Sequence, residues 1–162
     1  MRAVVRDGWL TMSGVRMPVV IGHGGVRAQK QEGDGATPLG LLPLRRVLYR
    51  ADRVRRPTAA VPITPLAPHD GWCDDPADAR YNMPITLPYD ARHEALWRTD
   101  SVYDVIGVLG WNDAPVVRRA GSAIFLHVSR PDGSPTEGCV ALPLPGLLEV
   151  LAAGVTELLI EA

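Results

Sequence analysis

A chain of 162 residues with 46% hydrophobic and 22% charged residues has the size and mixture of one globular domain with one core, so a single domain is expected over residues 1–162. A net charge of −1 leaves no basic field to gather nucleic acid or anionic lipid. Two cysteines, Cys73 and Cys139, exclude a disulfide framework, and no Cys-x-x-Cys, His-Glu-x-x-His or Cys/His cluster suggests a metal. No cofactor is expected.

The N-terminus, MRAVVRDGWLTMSG, carries Arg2, Arg6 and Asp7 and has no apolar run of signal-peptide length. No segment reaches the about 18 apolar residues of a membrane helix. In chain order, Ala3 to Val5, Trp9 to Met12 and Met17 to Ile21 read as short strands. Asp7-Gly8 and Ser13-Gly14 form tight turns between them, and Pro18 marks an edge or bulge. Residues 22–43 read as loop, and 44–50 (LRRVLYR) as a strand. Residues 51–92, with Pro at 57, 62, 65, 68, 76, 84 and 88, read as irregular. A segment this long without regular structure is often functional, so it is expected to shape a groove. Val102 to Leu109 and Ala123 to Val128 are further strands. PGLLEVLAAG then has Pro for a first helical turn and Gly for a helix end, and VTELLIE closes the chain as a strand. With 15 Pro and 16 Gly, the expected fold is mostly β, a β-rich sandwich with one or two short helices, one of them near the C-terminus.

The sharpest local feature is HVSRPDGSPTEGCV, residues 127–140. His127 ends an apolar strand, a Pro- and Gly-rich loop follows, and Gly138-Cys139 opens a second apolar stretch. Such a loop can bring imidazole and thiol side by side. The reactive form of cysteine is the thiolate, and an adjacent imidazole that takes the thiol proton makes a thiolate–imidazolium pair. The second imidazole nitrogen then needs a partner, expected to be the backbone carbonyl of Val128 or Ser129. Gly138 would let a substrate carbonyl approach, and the N–H groups of Gly138 and Cys139 are natural oxyanion donors. The plainer alternatives are a small core cysteine and a satisfied strand-end histidine.

The pattern resembles the L,D-transpeptidase (YkuD-type) catalytic domain. That family carries a His, a loop and then Ser/Thr-x-Gly-Cys-Ile/Val-Arg. Here the residues are His127 and Thr136-Glu137-Gly138-Cys139-Val140. An upstream Thr-Pro-x-Gly is matched by Thr37-Pro38-Leu39-Gly40, and the closing helix, Gly and strand are matched by PGLLEVLAAG and VTELLIE. The segments 71–76, 81–88 and 93–112 look like a short, divergent subgroup. Two positions depart from the pattern. The Gly after the family's His is Val128, and the Arg after Cys-Ile/Val is Ala141; Arg80, Arg98 and Arg130 are candidates to replace that Arg.

The resemblance implies acyl transfer on peptidoglycan stem peptides in the periplasm or cell envelope. Cys139 would attack an L-centre carbonyl and form a thioester, which an amine acceptor resolves into a 3,3 cross-link or an unusual one such as 1,3. A carbapenem would be a covalent inhibitor. Hydrolysis of the same bond by an L,D-carboxypeptidase or amidase, and a non-catalytic wall-binding module, are the rival readings. Papain-like order is the reverse, Cys before His.

Several other residues have two readings. His93-Glu94, beside Trp97 and Asp100, either forms a groove that contacts a stem's charged ends or belongs to a structural hydrogen-bond cluster. Arg80 and Tyr81 of the long loop, with Ser129, Arg130 and Thr136 around the His–Cys loop, are candidate substrate contacts, Arg80 through its guanidinium fork. Cys73 reads as a small buried residue, and Lys30, Glu32 and Asp34 as solvated loop charges.

Overall fold

The computed structural model describes residues 1–162. The chain is mostly β with a single C-terminal helix. Strands β1 (Arg2–Arg6), β2 (Trp9–Met12) and β3 (Val15–Pro18) form a meander. Its two turns place Asp7-Gly8 at φ 49° and 77° and Ser13-Gly14 at φ 43° and 78°, the left-handed pairs that match strand twist in two-residue hairpins. The third strand ends at Pro18, earlier than the sequence suggested. Val19 N–H already turns away to Gly8 O (3.0 Å), and proline cannot extend a ladder as donor.

Two segments read as loop contain short strands. Within 22–43, β4 (Val26–Arg27) pairs in parallel with β5 (Thr37–Pro38), and β6 runs from Gly40 to Tyr49. Within 51–92 lie β7 (Ile63–Pro65), β8 (Asp70–Cys73) and β9 (Pro84–Thr86). With β10 (His93–Ala95), β8 and β9 make a separate three-stranded sheet in the order β10-β8-β9. These strands are three or four residues long and held by tertiary pairing, so hydrophobic periodicity does not reveal them.

The remaining strands are β11 (Val105–Leu109), β12 (Phe125–Val128), β13 (Val140–Leu142) and β14 (Glu157–Ile160), with helix α1 (Leu144–Ala152) between the last two. The main sheet runs β13-β12-β11-β6-β14-β1-β2-β3, with β7 also paired to β6. Beyond β3 the chain returns to the far edge. Val20 and Ala141 exchange both N–H···O bonds at 2.8 Å, so the sheet is stitched into a barrel-like whole and the β13 edge is covered.

The main core lies between this sheet and α1. Pro143 caps the helix, Pro145 sits in its first turn, and Leu147, Val150 and Leu151 are buried at helical spacing. They pack with Leu126, Val128, Val140 and Leu142. A second, smaller cluster covers the opposite face of β11 and β12. It contains Trp72, Leu96, Tyr103, Ile106, Phe125 and Cys139. Trp72 and Tyr103 both meet the Phe125 ring edge-on, at 5.1 and 5.8 Å. The functional groups lie on this second face.

Candidate active site

β12 and β13 are parallel, with His127 opposite Ala141. The connection runs from Ser129 to Cys139, close to the length of about a dozen residues that a parallel crossover requires. The His–Cys loop is therefore a crossover and not a simple return. Side chains alternate across a strand. Leu126, Val128, Val140 and Leu142 enter the helix-covered core, while Phe125, His127, Cys139 and Ala141 share the other face. His127 and Cys139 open on the same cavity, of about 510 Å³, although the residues are only 6% and 9% exposed.

The turn that carries Cys139 is built by hydrogen bonds. Thr136 Oγ1 donates to Cys139 O (2.6 Å) and accepts from Gly138 N–H (3.1 Å). Thr37 is fully buried; its Oγ1 accepts from Gly22 N–H and donates to Gly138 O, both at 2.9 Å. The upstream Thr-Pro segment thus reaches the Cys139 turn directly. Gly138 has φ +133°, and a Cβ there would lie 2.7 Å from Ala36 O. The backbone of residue 36 demands glycine at this position. The Gly138 N–H is occupied by Thr136, which corrects the expectation of two free oxyanion donors. Cys139 N–H has no protein acceptor and is the remaining donor.

His127 Nδ1 lies 2.9 Å from Val128 O. A carbonyl only accepts, so Nδ1 carries the proton and Nε2 is the basic nitrogen. Nε2 has no protein partner, yet no fully buried side-chain nitrogen or oxygen is left unpaired; Nε2 therefore reaches the cavity. The Tyr103 ring stands edge-on to the imidazole at 5.4 Å. Burial lowers the imidazole pKa to about 4, against the opposing pull of the Val128 carbonyl.

Cys139 does not hydrogen-bond to His127. Its Sγ–H donates to Ala123 O (3.2 Å), and Sγ accepts from Phe125 N–H (3.4 Å). Burial pushes the thiol up to about 12; the Glu94 carboxylate adds to this and Phe125 N–H opposes it. Both shifts favour the uncharged forms, a thiol and an imidazole that open on one cavity. This corrects the expected thiolate–imidazolium pair, and the cause is that charge is costly in a site this dry.

The cavity wall includes Thr136, Arg98 and Arg130 from the expected set. Ala141 lines it too, so the place of the family's Arg is a short apolar side chain, in a cavity that two guanidiniums from elsewhere also line. Arg98 Nε and Nη2 donate to the two carboxylate oxygens of Asp100 (2.8 and 2.7 Å), whereas Arg130 has no ion-pair partner. Arg80, Tyr81, His93 and Ser129 do not line the cavity. Arg80 is exposed; His93 Nδ1 meets Ala91 O (2.7 Å); Ser129 N–H caps Leu142 O (2.7 Å). Tyr81 is buried, and its O–H donates to Glu32 (2.7 Å).

Glu32 lines the cavity, which corrects its reading as a solvated loop charge, and it also accepts from Ser122 Oγ. Lys30 and Asp34 form a pair whose side chains are 3% and 9% exposed, not a solvated one. Cys73 is fully buried. Of the pair His93-Glu94 it is Glu94 that reaches the cavity, and Tyr103 is a residue that sequence reasoning did not assign to the site. Tyr103 O–H donates to Glu94 Oε1 (2.6 Å), and both line the cavity. The only sequence signal for Tyr103 was the polar composition around 93–104. The long segment 51–92 contributes Asp74 to the wall.

A thiol and an uncharged imidazole on one face of a barrel-like sheet, opening on a shared cavity, define a candidate thiol acyl-transfer site. The model of the YkuD family, the L,D-transpeptidase catalytic domain, matches residues 1–155, and the chain belongs to that family, whose members act on the peptidoglycan of the cell envelope. No curated protein sequence matches it. Among solved structures, the helical cell shape determining protein Pgp2 from Campylobacter jejuni is similar at 15% identity and a TM-score of 0.48; the match covers 99% of this chain and 46% of that one. The chain thus spans under half the length of that protein. No helix is long and apolar enough to cross a membrane.

Proposed function

We propose that the protein is a peptidoglycan L,D-transpeptidase in which Cys139 is the nucleophile and His127 its general base. The observation that carries this reading is the shared cavity. A sulfur and an unpartnered basic nitrogen, each on a side chain more than nine-tenths buried, open on one space large enough for a peptide stem.

In the acylation step a stem peptide enters with its L-centre carbonyl near Sγ. The thiol proton leaves Ala123 O and passes to His127 Nε2 as sulfur attacks, so charge develops only when the substrate has closed the site. Phe125 N–H steadies the sulfur, and Cys139 N–H faces the oxyanion. The C–N bond breaks, the terminal D-amino acid leaves with the proton from Nε2, and a thioester remains on Cys139. An amine acceptor then attacks and restores the thiol. Water in place of the amine would make the protein an L,D-carboxypeptidase. Arg130, unpaired at the cavity wall, is suited to a stem carboxylate, and so is Arg98 if it is released from Asp100. A carbapenem would acylate the same sulfur.

The test is incubation with intact sacculi or purified muropeptides, followed by mass spectrometry of the products. Cross-linked dimers support transpeptidation and shortened stems support hydrolysis. Unchanged muropeptides with a folded protein would overturn both.

A further inference from the structure

Two carboxylates in the active-site cavity have no cationic partner in the molecule. Glu94 on β10 accepts only from Tyr103 O–H (2.6 Å). Glu32 accepts only from the hydroxyls of Tyr81 and Ser122, all on Oε1. In each case Oε2 has no protein donor, and no such atom is fully buried, so both free oxygens reach the space they line. Asp74, the third acid of this wall, is already bonded to Arg92 (3.2 Å). The Arg98 guanidinium in the same cavity is committed to Asp100. No three acidic or ligating side chains converge as a metal site would require.

A second, independent observation fixes what the wall faces. His127, 6% exposed, presents an unpartnered Nε2 to the same cavity, and Cys139 lines that cavity too. A monovalent cation placed between the acids and the sulfur is what this arrangement accommodates.

Resting on the transpeptidase reading above, we infer that Glu94 and Glu32 form the subsite for the acceptor amine: they hold it as an ammonium beside the thioester, and Glu94 takes its first proton. An ammonium has no lone pair and cannot attack. Loss of one proton to the Glu94 carboxylate gives the free amine. The amine nitrogen bonds to the thioester carbon and passes a second proton to His127 Nε2. The C–S bond breaks, and the leaving thiolate takes that proton from the imidazolium. Glu94 returns its proton to solvent. The net change is thioester plus ammonium to amide, thiol and one released proton. Glu94 suits this part because burial raises its carboxyl pKa, against the opposing Tyr103 hydrogen bond, which makes it a better base than an exposed carboxylate.

The experiment separates the two half-reactions in the full chain. A tetrapeptide-stem muropeptide is the donor, acyl-enzyme on Cys139 is followed by mass spectrometry, and a tripeptide stem with a free side-chain amine is the acceptor, with its N-acetylated form as control. For Glu94→Gln, the amine step slows about tenfold or more near neutral pH, far more than acylation does. The gap closes above about pH 10, where the acceptor amine is neutral without help. A deficit constant across pH, or an amine step equal to that of the unsubstituted protein, would overturn the subsite. Failure of the unsubstituted protein to form any acyl-enzyme would instead overturn the transpeptidase reading. Glu94→Asp, which keeps the charge, restores part of the rate; no restoration also counts against the subsite. Acylation by the variants, measured in the same samples, reports that they are folded.

Discussion

The two faces of β12 and β13 are made by the same seven residues and serve opposite ends. Leu126, Val128, Val140 and Leu142 meet α1 in a dry aliphatic core, while His127, Phe125 and Ala141, with Cys139 just ahead of β13, meet a cavity. The difference teaches that a two-residue period can separate stability from chemistry along a few residues. A shift of one residue in register would exchange the faces, and the crossover, Thr136 and Thr37 hold that register. The chemical face is also nearly dry, and this is why its two reactive groups rest uncharged.

The largest effect expected on the cavity face is that of Cys139→Ala, which abolishes product formation while the thermal melting curve stays close to that of the unsubstituted chain. His127→Ala lowers the acylation rate by about 10²–10⁴-fold, the usual contribution of a positioned general base, as stopped-flow acylation would measure. On the core face, Leu126→Ala removes a fully buried side chain and costs about 2–5 kcal/mol in urea unfolding. Any acyl-enzyme formed by the fraction that remains folded still maps to Cys139. If Leu126→Ala left stability intact, or Cys139→Ala unfolded the chain, the division between the faces would fail.

A pH series sharpens the same contrast. The His127 pKa is lowered from 6.5 to about 4 in the folded chain, so the unfolded chain binds that proton more readily. The stability from keeping His127 neutral is complete above about pH 6.5 and is lost as pH falls through that value towards 4. The loss is about 3 kcal/mol at most. Urea titrations from pH 7 to 4 on the unsubstituted protein and His127→Gln isolate it; the variant has a shallower acid slope. The smallest effect is that of Arg130→Ala, an exposed charge at the cavity wall, with a rise of about 3- to 10-fold in donor KM and kcat little changed.

Much of this was legible in the sequence, for reasons that differ by region. β1, β2, β11, β12, α1 and β14 announced themselves through apolar runs and turn residues. His127 and Cys139 stood out through the loop between them, and Val128 O lies where a carbonyl partner for His127 was sought. β8, β9 and β10 did not stand out, because three-residue strands amid prolines depend on partners far along the chain. The protonation state was also hidden. Sequence names the two groups, but burial and the Ala123 carbonyl set their charge. Glu94 was read with His93 as a groove, but that Glu94 and not His93 lines the cavity, and that Tyr103 joins it, follows from the packing of the small sheet over β11 and β12, which no local spacing encodes. The backbone demand for glycine at 138 was hidden as well, since the Ala36 carbonyl that makes it lies about a hundred residues away in the chain.

The central claim is that the sulfur of Cys139, reached through the cavity and served by His127, accepts an acyl group. Intact-protein mass spectrometry with peptide mapping after exposure to a carbapenem tests it most directly. The expected result is one adduct, on Cys139, that is absent in Cys139→Ala and greatly slowed in His127→Ala, with Cys73 unmodified. A folded sample that gains no mass, or that gains it on Cys73, would contradict the account.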